Sequence, residues 1–143
     1  MTRLPPRPRV LLADDHTRLR EALRDLLEET GFEVVGESGD GADAVAMARE
    51  LEPDIVVIDL RMPVLNGLDA TRLIKDARPA TQVVVLSAFE SPGLERQARE
   101  AGAFAYLDKG TMARRVHRVV LGAAVQAVLA ANLGAPDGDA EAG

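Results

Sequence analysis

Runs of four or five apolar residues alternate with longer stretches of helical period along this chain. Val10 to Ala13, Ile55 to Ile58, Val83 to Leu86 and Phe104 to Leu107 are each too continuously apolar for a sheet with one wet face. They predict short parallel strands covered on both sides. Glu33-Val34-Val35-Gly36-Glu37 is more polar and suits a sheet edge. Between the strands the period lengthens. A first helix begins at Thr17, buries Leu19, Leu23, Leu26 and Leu27, and closes at Gly31. Asp40-Gly41 opens a second, with Val45, Ala48 and Leu51 inward and Pro53 as its stop. The third follows Asn66-Gly67 and turns Ala70, Leu73, Ile74 and Ala77 inward until Arg78-Pro79. Ser91-Pro92 caps a fourth that ends at Gly102 and has little beyond Leu94, Ala98 and Ala101 to bury. Such a helix is held weakly and is a candidate moving part. A fifth runs from Met112 without a proline as far as Leu133.

Five strands alternating with five helices predict an α/β fold, a doubly wound five-stranded parallel sheet. The flavodoxin-like order 2-1-3-4-5 sets the edge strand beside strand one and leaves the other four side by side. With 143 residues the chain suits one domain. It divides into a flexible leader (1–8), the domain (9–121), an extension of the last helix (122–133) and a disordered acidic tail (134–143). No apolar run is long enough for a membrane span or a signal peptide. The absence of cysteine excludes disulfides, thiolate metal sites and a thiol nucleophile, and fits a cytoplasmic location. A net charge of −6 argues against nucleic-acid binding by the surface as a whole.

Ligands of open α/β sheets bind beyond the carboxyl ends of the strands, and there the chain concentrates its chemistry. Strand one runs into Asp14-Asp15-His16, strand three ends on Asp59, strand four on Ser87-Ala88 and strand five on Asp108-Lys109. Edge strand two ends on nothing of the kind. Each residue alone has a bland reading as a turn or solvated group; together they put three carboxylates, a hydroxyl and an ammonium at one mouth. Converging carboxylates repel unless a cation intervenes, and an all-oxygen set is what Mg²⁺ prefers. With that ion on one side and Lys109 on the other, a phosphoryl group moving to Asp59 would have its charge neutralised. An ionised carboxylate needs no general base, and His16 and His117 are expected at helix positions, His16 on the surface.

These residues, with Met62-Pro63, Asn66-Gly67, Gly102-Ala103 and Tyr106, resemble the receiver domain of two-component response regulators over roughly residues 9 to 121. Val10 to His16, Val34 to Glu37, Asp40-Gly41 and Asp59 to Pro63 are most similar to the branch whose receivers precede a LuxR-type helix-turn-helix. The resemblance implies a phosphoacceptor rather than an ordinary enzyme, with self-catalysed phosphorylation and dephosphorylation. Asp59 would take the phosphoryl group from a sensor histidine kinase. Asp14, Asp15, Asp59 and the carbonyl of Arg61 would hold Mg²⁺, and Ser87, Ala88 and Lys109 would bind phosphate. Ser87 and Tyr106 would form the switch. Gly110 follows the lysine where many receivers have proline, so no cis bond is expected there. Asp108 adds a negative charge beside the site. No helix-turn-helix follows, so output is expected through a downstream protein partner or a homodimer, without direct DNA binding. The alternative is the receiver portion of a longer LuxR-type transcription factor. A dehalogenase-type phosphatase would need a second acid where Arg61 stands, and a flavin module would not place Asp14-Asp15 against a phosphate.

The last helix exceeds what a five-residue strand needs to be covered. Met112, Val116, Val119, Val120, Ala123 and Ala127 make the stripe toward the sheet, with Arg114, Arg115 and Arg118 outward. Leu121, Val125, Val128 and Leu129 fall on the other side and predict an apolar seam for self-association or a partner helix. The alternative is a helix that ends near Gly122 and folds back.

Overall fold

The computed structural model describes residues 7–88 and 91–134, with nothing stated for the side chains at 112, 113 and 132–134. Most of the leader, the acidic tail and the expected inward role of Met112 lie outside the described residues. Strands β1 (Arg9–Ala13), β2 (Glu33–Ser38), β3 (Ile55–Asp59), β4 (Gln82–Ser87) and β5 (Ala105–Asp108) alternate with helices α1 (Thr17–Glu29), α2 (Gly41–Leu51), α3 (Gly67–Ala77), α4 (Pro92–Glu100) and α5 (Met112–Gly134). The sheet is parallel in the order β2-β1-β3-β4-β5, as the strand pattern requires. β3 and β4 are buried at every position. Alternate strand residues enter two cores: Leu11, Val56, Ile58, Val83 and Val85 pack under α2 to α4, while Leu12, Val57, Val84, Leu86 and Leu107 pack under α1 and α5.

The helix ends follow capping chemistry. The side chains of Asp40, Asn66 and Ser91 accept from the N–H groups of Asp43, Asp69 and Leu94, closing the first turns of α2, α3 and α4. Thr30 closes α1 and Gly31 follows at φ 105°, the left-handed step that glycine tolerates.

One helix faces the core differently from its predicted stripe. The buried residues of α3 are Gly67, Ala70, Thr71 and Ile74, whereas Leu73 is 40% exposed and Ala77 lies outside. Thr71 escapes a polarity count because its Oγ1–H donates to the Gly67 carbonyl at 2.6 Å, so it enters the core already satisfied. In α4, Ala98 is the buried residue, consistent with a weakly held helix.

The loop after β3 holds a strained residue. Val64 has φ 71° while Leu65 N–H donates to the Pro63 carbonyl at 2.7 Å, a γ-turn centred on a β-branched side chain. Val64 is 82% exposed and gains no burial in return. Val64→Asn is therefore expected to raise stability by about 1 kcal/mol, measured by urea unfolding. An unchanged or lower midpoint would show that the loop does not store this strain.

Candidate functional site

Backbone bonds continue past the carboxyl ends of the strands, tying β1 to β2, β3 to β4 and β4 to β5. Asp14 N–H donates to Ser38 O at 3.0 Å, Leu60 N–H to Leu86 O at 2.8 Å and Lys109 N–H to Ser87 O at 2.7 Å. These bonds fix where Asp14, Asp59 and Lys109 leave the sheet. Lys109 Nζ then sits 3.0 Å from Asp14 Oδ2 and 3.1 Å from Asp59 Oδ2. Both carboxylates are buried. Asp59 Oδ1 accepts from the Arg61 N–H at 3.4 Å. Asp14 Oδ2 is buried without a well-formed hydrogen bond, so the ammonium meets it as an ion pair.

The electrostatics are unequal. Burial pushes the Asp59 carboxyl above its usual range; Lys109 opposes this and Asp14 adds to it. Burial pulls Lys109 down, but Asp14 and Asp59 more than offset that and hold the ammonium above its ordinary value. The excess negative charge invites a second cation. Ligand atoms of Asp14, Asp15, His16 and Asp59 lie within 4.8 Å of one another, and Asp15 is open to solvent. Three carboxylates, with a single ammonium between two of them, make an oxygen-rich set that fits Mg²⁺.

His16 is exposed, as expected, but not at the helix position expected for it. It is the N-cap of α1 rather than a helix position, and its Nδ1 lies 3.1 Å from Asp14 Oδ1 and 3.3 Å from Asp15 Oδ1. Its backbone N–H also donates to Asp14 Oδ1 at 2.8 Å, an Asp turn that brings residue i+2 back over the carboxylate. The Asp-Asp-His run carried that signal. Arg20 was not foreseeable in the same way. Its guanidinium donates to the Asp14 carbonyl and, at 3.0 Å, to Glu37 Oε1 on the edge strand. Arg24 holds the other Glu37 oxygen at 2.9 Å. Burial raises the Glu37 carboxyl, but the two arginines outweigh it and hold it below its usual range. Strand two thus contributes a brace rather than chemistry.

Ser87 is buried at the end of β4, followed by exposed Ala88. Tyr106 is buried in the core that also holds Ala98 of α4. The described residues contain no cis peptide, Lys109-Gly110 included. Leu121, Val125 and Val128 lie elsewhere, beside Arg7 to Arg9 and Asp54 at the amino ends of β1 and β3.

A parallel 2-1-3-4-5 sheet with a lysine clamped between two buried aspartates defines a receiver-type α/β domain. The chain belongs to the response regulator receiver domain family, which it matches over residues 10–121. It is 46% identical over 101 residues to the transcriptional regulatory protein PdtaR of Mycobacterium tuberculosis, a match covering 71% of this chain and 49% of that one. The chain thus spans about half the length of that relative. It is 38% identical over 108 residues to the chemotaxis protein CheY of Thermotoga maritima, covering 76% of this chain and 90% of that one. The receiver domain of NarL from Mycobacterium tuberculosis superposes with a TM-score of 0.80 at 31% identity, covering 84% and 98% of the two chains. No helix among the described residues is long and apolar enough to cross a membrane.

Proposed function

We propose that this chain is a phosphoaspartate switch, with Asp59 taking a phosphoryl group from the phosphohistidine of a sensor kinase. The observation that carries this reading is the buried triad in which Lys109 lies 3.0 and 3.1 Å from Asp14 and Asp59. An Asp59 oxygen attacks phosphorus as the bond from phosphorus to the imidazole nitrogen breaks. The imidazole keeps the electron pair and no general base is needed. Asp14, Asp15, Asp59 and the Arg61 carbonyl are the groups that would hold Mg²⁺. When bound, the ion supplies neutralising charge at the phosphoryl oxygens. Lys109 pairs with the same oxygens from the opposite side, and Ser87 and the Ala88 N–H hydrogen-bond them. Loss of the group to water returns the carboxylate and inorganic phosphate.

The output of this reading passes through α4. Ser87 moves toward the phosphoryl oxygen, and Tyr106 repacks behind it against a helix whose one buried residue is Ala98. Weak burial keeps the cost of that shift low. The test is incubation with a small-molecule phosphodonor and Mg²⁺, followed by mapping of the modified residue. Label is expected on Asp59 and absent from Asp59→Asn; equal labelling of the variant would sink the mechanism.

A second reading is favoured by one observation. The match to PdtaR, a transcriptional regulatory protein, spans 49% of that relative, which fits a receiver that forms one part of a longer regulator. The mass of the protein purified from its host separates the two readings.

A further inference from the structure

α5 is one continuous helix through Gly122, and it carries two faces. Val116, Val120, Ala123, Ala124 and Ala127 are buried against the sheet. Roughly 140° around the helix at 100° per residue lie Leu121, Val125, Val128 and Leu129. They remain 49, 55, 60 and 47% exposed, four of the six exposed large apolar side chains among the described residues. The spacing 121, 125, 128 and 132 is the 4-3-4 step of a coiled-coil seam. With Arg7, Pro8, Arg9 and Asp54 the seam borders a groove of about 490 Å³.

Three features decide what covers this seam. First, residues 119–134 carry no charge, so along this stretch the helix itself offers a partner apolar contact and no ion pair. Second, the outward line continues toward the amino end as Arg114 and Arg118, both exposed. In a parallel pair these arginines would face their own copies. In an antiparallel pair they would lie beside the last turn of the other helix, where the carbonyl ends carry partial negative charge. Third, Gly122 sits in the helix interior at a cost of about 1 kcal/mol relative to alanine. A Cβ there would meet the Phe104 ring at 3.5 and 3.6 Å, an ordinary contact, so packing inside the chain does not demand glycine. A closely approaching helix would.

We infer that a second copy of this chain packs antiparallel along α5, with the twofold axis at Val125. That register sets Leu121 against Leu129 of the second copy, Val128 over its Gly122 and Arg118 near the last turn of its α5. Each exposed apolar residue then meets an apolar side chain or a glycine, so the seam is complementary to itself. The contact lies at the amino ends of the strands, away from Asp59, and does not depend on phosphorylation.

Sedimentation equilibrium of the full chain in chelator, from micromolar to near-millimolar concentration, measures the association. The wild type is expected to form a reversible dimer, and Leu121→Glu/Val125→Glu to weaken it at least tenfold with an unchanged circular dichroism spectrum. The natural chain has no cysteine, so engineered thiols report the register. On oxidation Val125→Cys is expected to cross-link to itself, whereas Leu121→Cys cross-links efficiently only when mixed with Leu129→Cys. A monomeric wild type throughout, or a double variant that dimerises undiminished, overturns the interface. Equal self-cross-linking of Leu121→Cys and Leu129→Cys overturns the antiparallel register.

Discussion

Gly41→Ala is expected to cost about 3 kcal/mol, a large share of the roughly 5–15 kcal/mol that keeps a domain folded. A Cβ on Gly41 would stand 1.7 Å from the Leu65 carbonyl oxygen and 2.7 Å from its carbon, so backbone itself must move. Gly41 N–H also donates to the Pro63 carbonyl at 3.1 Å, so the start of α2 is docked on the loop that follows Asp59. Gly67 is confined in the same way from the other side, with a Cβ there falling 2.4 Å from the Asp59 carbonyl oxygen. The two glycines let two helix starts close on the loop that follows β3. Gly93→Ala is the control: the nearest atom to its Cβ is Ser91 Oγ at 3.8 Å, and the change within α4 is expected to stabilise by roughly 0.5–1 kcal/mol. Urea unfolding of the three proteins checks both signs. A Gly41→Ala midpoint within error of wild type would mean that the loop yields without cost.

Much of this architecture was legible because its determinants are local. Strands buried on both faces announce themselves as unbroken apolar runs, and in a parallel sheet the residue that ends each run lies at the same mouth. The sequence therefore places Asp14, Asp59, Ser87 and Lys109 at one end of the sheet. Where reading failed, a side chain had settled its polarity by a bond that sequence does not display. Thr71 is buried because it bonds back to Gly67, which rotates the inner face of α3 away from Leu73 and Ala77. His16 folds over Asp14 through an Asp turn instead of joining the helix. The Arg20 and Arg24 brace on Glu37 joins residues 17 and 13 positions apart on different elements, and no local pattern predicts it. Tertiary pairing of charge is the part of a site that a single sequence conceals most completely.

Lys109→Met is expected to destabilise the metal-free protein by about 3 kcal/mol at neutral pH, because it keeps most of the side-chain volume and removes the one cation between two buried carboxylates. Asp14 Oδ2 and Asp59 Oδ2 would each lose their partner at 3.0 and 3.1 Å. The pH dependence identifies the cause. Asp59 already has a folded-state pKa above its unfolded value, and without Lys109 that value rises further. A carboxyl with a raised folded pKa destabilises the fold fully above that pKa and ceases to do so as pH falls through it and the group protonates. The deficit of Lys109→Met should therefore be largest around neutral pH and shrink on acidification, as it also should at the alkaline end where Lys109 itself deprotonates. Lys109 itself, whose folded pKa is raised, stabilises the wild type below its unfolded pKa and loses this contribution as pH rises through the folded one, so the wild type gains an alkaline limb that the variant lacks. Asp59→Asn is the matching test of opposite sign. Removing the carboxylate that burial disfavours should stabilise the metal-free fold by about 1 kcal/mol at neutral pH, with the gain fading toward acid. Adding Mg²⁺ should recover much of the loss in Lys109→Met, since the ion supplies the missing positive charge to the same oxygens. Thermal melts of the three proteins across pH, in chelator and in Mg²⁺, measure all of this. A Lys109→Met deficit that is flat with pH and indifferent to Mg²⁺ would mean that the lysine acts through packing rather than through its charge.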